Sequence, residues 1–167
     1  MAKLTLAGHP LHVIVNDAVI ALLPFALTMD VLHSAKEEDS YADAAYYALV
    51  GAVGMGVVAG VTGALDYLSV PGGSRAKRTA NAHALSNVAL MAAAAGSLVA
   101  RGPNPRRVGS LALGLNAAAN VLMVASAWYG GTLVHEHGIR VKAVGDPLPG
   151  PDIELPGGPL VERGFTA

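Results

Sequence analysis

Imidazoles are the side chains of this sequence best suited to do chemistry. Six histidines occur in 167 residues, and five of them, His9, His12, His83, His135 and His137, fall at the edges of long apolar runs. Imidazole titrates near neutral pH and ligates haem iron and transition metals through one ring nitrogen while the other is held by an acceptor. His12 is followed four residues on by Asn16 ("HVIVN"), and His83 by Asn87 ("HALSN"). That spacing puts each amide one turn away on the same helical face, where it can orient the ring or a bridging water. Asp17 and Asp66 are the carboxylates that such a cluster can draw on. There is no cysteine, which excludes disulfides, thiolate metal sites and cysteine-held iron-sulfur clusters in this chain.

The elements that position these residues are read from hydropathy. Runs free of Asp, Glu, Lys and Arg extend from Ala44 to Leu65, Ala80 to Ala100 and Val108 to Val134, each long enough to cross a hydrocarbon layer as a helix. A fourth run near 10–32 is apolar but carries Asp17 and Asp30, which makes it the weakest of the four. The expectation is an all-α, antiparallel four-helix transmembrane bundle with spans at about 10–32, 43–69, 79–101 and 106–136. Prolines and glycines in 143–167 predict an extended tail. Glycines of the second span, including the GxxxG pair Gly56 and Gly60, allow close helix contact or room for a flat ligand.

Four antiparallel spans bring the start of helix 1, the end of helix 2, the start of helix 3 and the end of helix 4 to one membrane face. His9, His12, Asp66, His83, His135 and His137 therefore converge, while His33 belongs to the opposite face. The matched His and Asn pairs hint at an internal repeat of helices 1 and 2 in helices 3 and 4. Basic residues near the span ends number six on the face of the termini (Lys3, Arg75, Lys77, Arg78, Arg140, Lys142) and four opposite (Lys36, Arg101, Arg106, Arg107). This bias predicts that both termini are cytoplasmic.

The segments "GHPLHVIVND", "DYLSVP", "NAHALSN" and "GGTLVHEHG" resemble, in order and spacing, the bacterial membrane family known as domain of unknown function 2231. The resemblance covers about residues 8 to 142 and implies four spans. Some members of that family are joined to Rieske iron-sulfur domains or accompany cytochromes, which implies a link to membrane redox chemistry. The sequence departs from the family pattern at Val13, where proline is usual, at Ala18 and Val19, with Pro24 downstream, and at His135, where tyrosine is usual.

Three functions compete on this reading. The first is a haem-binding electron-transfer subunit, with haem b held by two histidines from His12, His83 and His137, His83 being one of the pair, and with His9 and His135 nearby. Asn16, Asp17, Asp66 and Asn87 would support those rings. The second is a transition-metal binding or transport protein using His12, His83 and His137. The third is a structural or assembly subunit with no cofactor, whose polar cluster sets helix registry. No catalytic residues are assigned, because no Ser-His-Asp set, phosphate loop or cysteine nucleophile can be placed. The expected partners are the lipid bilayer, a Rieske or cytochrome subunit carrying any cluster, and a second copy as a homo-oligomer. A net charge of -1 gives no reason to expect nucleic acid.

Overall fold

A computed structural model describes residues 5–6 and 9–139, with side chains from residue 11 onward. The expected tail at 143–167, together with Lys3, Arg140 and Lys142, lies outside the described residues. A two-residue hairpin, β1 (Thr5–Leu6) and β2 (His9–Pro10), precedes four helices: α1 (Leu11–Lys36), α2 (Asp39–Leu68), α3 (Arg75–Arg101) and α4 (Ser110–His135). All four are long and apolar enough to cross a membrane. At about 1.5 Å per residue each is roughly 40 Å long, more than the ~30 Å hydrocarbon layer.

Local chemistry accounts for the ends. The Ser74 hydroxyl accepts a hydrogen bond from the Lys77 N–H and caps α3. Gly102 closes the same helix with φ 64°, a left-handed conformation that glycine adopts without strain. Between α1 and α2 the turn is only Glu37 and Glu38, and His33 donates from Nδ1 to the Glu38 carbonyl to hold it. α2 and α3 begin about a turn before their apolar runs, because a helix can carry its charged first turn, Asp39 or Arg75, into the headgroup region.

The helices pack as two hairpins, α1 on α2 and α3 on α4, with lighter contacts of α2 on α3 and α1 on α4. α1 and α3 therefore face each other diagonally across the bundle. Four of the five buried residues of α1 have a buried counterpart 71 positions later in α3: Val19 and Leu90, Leu23 and Ala94, Ala26 and Ser97, Asp30 and Arg101; the counterpart of Val15, Ser86, is half-buried. Ala45, Leu49, Ala52 and Ala59 of α2 correspond in the same way to Ala112, Asn116, Ala119 and Ser126 of α4, 67 positions on. The repeat hinted at by two pairs in the sequence thus runs through the core.

Polarity is inverted relative to a water-soluble bundle. Val57, Val61, Leu85, Val88, Val99, Val121 and Trp128 are exposed, while Asp30, Ser97, Arg101, Asn116 and Ser126 are buried. Such a surface is stable against lipid, and the polar groups inside it must find one another.

Candidate functional site

His12 on α1 and His83 on α3 meet across the bundle, their rings edge to face with centroids 6.3 Å apart. Each is held in the same way. The His12 Nδ1–H donates to the Ala59 carbonyl at 2.8 Å, and the His83 Nδ1–H donates to the Ser126 carbonyl at 2.9 Å. A carbonyl only accepts, so the proton must sit on Nδ1 and Nε2 is left as the basic nitrogen of both rings. One turn beyond each carbonyl is a glycine that seats the ring: a Cβ on Gly63 would stand 2.9 Å from His12, and one on Gly130 would stand 3.2 Å from His83. Ala59 and Ser126, like Gly63 and Gly130, are equivalent in the repeat.

The supporting amides differ. Asn87 donates to His83 Nε2 at 3.1 Å and to the His83 carbonyl at 3.0 Å, and the Ser126 hydroxyl lies 3.1 Å from Nδ1. Among the described residues no such bond joins Asn16 to His12.

Among the described residues, His135 and His137 of the expected cluster do not join this pair. α4 ends at His135, which is exposed, and the following turn carries His137 away to the Thr79 hydroxyl at 3.2 Å. The span order places His137 at the correct face, but a residue beyond the last helical turn is not directed by the helix axis. The side chain of His9 lies outside the described residues. Asp17 is exposed on α1, and Asp66 is half-buried at the end of α2, where its carbonyl accepts from Ser69. Among the described residues no three His, Asp or Glu side chains come close enough to hold a metal ion, so His12, His83 and His137 do not form one ligand set.

A second polar centre lies at the opposite end of the bundle. Arg101, at the end of α3, donates from Nη2 to both carboxylate oxygens of Asp30 on α1 at 2.7 Å, and both residues are fully buried. Asn116 on α4, also fully buried, donates to the same carboxylate at 2.7 Å, and Asn120 donates to Asn116 Oδ1 at 3.2 Å. Arg101 Nη1 reaches the Pro105 carbonyl at 3.3 Å, while its Nε has no partner. Sequence reasoning had set Arg101 among the loop cations and Asp30 as a defect of the first span. The available signal was their separation of 71, the same as His12 to His83. Nearby, at the surface, Arg106 bridges Asp39 and Asp43; its hydrogen bonds to Asp43, and then the charges of Asp43 and Asp39, hold its guanidinium above the ordinary arginine pKa.

Four apolar-surfaced helices around a buried ion pair and a half-buried imidazole pair define an integral-membrane four-helix bundle. The model of the predicted membrane protein family DUF2231 matches residues 8–143, most of the chain, and the protein belongs to that family. No curated protein and no solved structure matches it.

Proposed function

We propose that this protein is a redox-associated membrane subunit in which His12 and His83 hold one b-type haem between α1 and α3. The observation that carries the reading is the pair itself: two imidazoles from diagonal helices, 6.3 Å apart, each with Nδ1 engaged by a backbone carbonyl. His12 and His83 would be the residues to hold the group, each through the Nε2 left free of the backbone carbonyl. When bound, the group supplies one-electron transfer. The chain's own task would be to fix both tautomers and ring planes, and the Asn87 amide, which donates to His83 Nε2, would have to leave that nitrogen for His83 to serve as a ligand. Because the chain has no cysteine, an iron-sulfur partner such as a Rieske subunit would carry its own cluster.

The test is purification in mild detergent, with reduced-minus-oxidised absorption spectra before and after adding hemin. A low-spin spectrum lost in both His12→Ala and His83→Ala, and kept in His137→Ala, supports the reading. A protein that is colourless as isolated and takes up no hemin overturns it.

A second reading, favoured by His83 having both ring nitrogens satisfied within the protein, is a structural pair that locks helix registry. It predicts lower thermal stability in the histidine variants and no chromophore in the parent.

We also propose that both termini are cytoplasmic. Burial of Arg101 in an ion pair removes it from the loop charges, leaving six basic residues near that face against three opposite. Topology reporters fused at Ala167 and inserted between Glu37 and Glu38 test this; a cytoplasmic signal from the insertion overturns it.

A further inference from the structure

We infer that the Asp30–Arg101 ion pair is the pairing code of the bundle: it makes each helical hairpin accept the other hairpin and reject a copy of itself from a second chain. The constant separations of 71 in α1 and α3 and 67 in α2 and α4 relate the hairpins as repeats. In such an arrangement a residue that touches its own counterpart lies on the two-fold axis between the halves. Asp30 touches Arg101 there, as His12 touches His83. On that axis a pairing of like hairpins would set Asp30 against Asp30, or Arg101 against Arg101.

The rest of the interface carries no charge. Val19 and Leu90, Leu23 and Ala94, Ala26 and Ser97, Ala45 and Ala112, and Ala52 and Ala119 are small or apolar on both sides, so like and unlike halves differ there in volume alone. The charges sit at zero exposure, where water does not screen them. A buried ion pair of this kind is generally no more stabilising than a well-packed apolar pair. Its place at the axis gives it a part in the choice of partner, because reversal of one charge turns this attraction into repulsion. Asn116 deepens the asymmetry. It donates to Asp30, whereas its counterpart beside the other half, Leu49, is apolar.

The test uses the full chain in detergent, and the absence of cysteine makes introduced thiols unambiguous. Asp30→Arg and Arg101→Asp are made singly and together, followed by the apolar pair Asp30→Leu with Arg101→Met. Each carries Ala26→Cys as a probe, since Ala26 is fully buried and meets its copy in a second chain only if like halves pair. Expected for the single reversals is a loss of folded monomer of more than about tenfold, recovered in the double reversal, where the Asn116 amide can turn its oxygen toward arginine. The apolar variant should fold and give cross-links between chains at position 26 that the parent does not. A double reversal no better than the worse single variant overturns the inference. So does an apolar variant without such cross-links, or one that fails to fold, because the pair would then serve stability and not choice.

Discussion

Gly63 lies against the His12 ring so closely that a Cβ at that position would stand 2.9 Å from it, and Gly130 holds the same relation to His83 at 3.2 Å. Neither helix can give much, since each ring is fixed by a hydrogen bond to a carbonyl of that same helix. Gly63→Ala should therefore destabilise the bundle by about 1–3 kcal/mol and Gly130→Ala by less, as in other overpacked sites. Gly60→Ala is the control, because nothing lies within 4 Å of its missing Cβ. It should be neutral or slightly stabilising through helix propensity. Thermal unfolding of the three variants in one detergent checks the order, and equal effects at 60 and 63 would remove the seating role.

Asn87 separates the two readings of the histidine pair. Its amide donates to His83 Nε2, so Asn87→Ala loses a bond worth roughly 0.6–1.7 kcal/mol between groups in a membrane interior. The same change frees the nitrogen that a metal centre needs. Hemin titration should show tighter uptake in Asn87→Ala than in the parent if His83 is a ligand, and no uptake in either if the pair is structural. Asn16→Ala should change neither quantity much, as Asn16 makes no bond to His12.

How far the site could be read in advance depended on how directly helix order governs each residue. His12 sits in the first turn of α1 and His83 in the third turn of the parallel α3, both inside their helices, so the alternation of spans alone brings them to one face, and their identical spacing to asparagine marks them as equivalent. His137 lies past the last turn of α4, where a local turn and not the helix sets its direction. The ion pair was illegible by hydropathy because that scale treats Asp30 and Arg101 as costs to be added, although their charges cancel when they meet. Only the shared separation of 71 connects them. The two-residue hairpin before α1 carries no periodic signal, and an apolar run alone does not disclose it.

Asn116 tests how far the buried carboxylate depends on more than its arginine. Removing its amide leaves one oxygen of Asp30 with Arg101 Nη2 alone, and it leaves Asn120 without its Oδ1 acceptor. Asn116→Ala should cost about 1–3 kcal/mol, the range for stranding a buried polar group. Asn116→Asp should cost more, because a second carboxylate would then face Asp30 where no water enters. Equal stability of the two variants would mean that the interior at this end is hydrated.

The exposed apolar surface makes the last prediction, since it must face lipid if the chain spans a membrane. Val88 stands at the middle of α3 and is 67% exposed, on the opposite side of the helix from the core-facing Leu90 and Ala94. α3 also carries the least apolar of the four candidate spans, so it has the smallest reserve for insertion. Arginine at a helix centre costs about 2.5–3.5 kcal/mol on insertion scales. Val88→Arg should thus lower the fraction of chains that insert α3, read by glycosylation or protease protection of the flanking loops, while Val88→Leu leaves it unchanged. Arginine at this position with no loss of insertion would place Val88 against protein or water, and the lipid-facing assignment of α3 would have to be rotated.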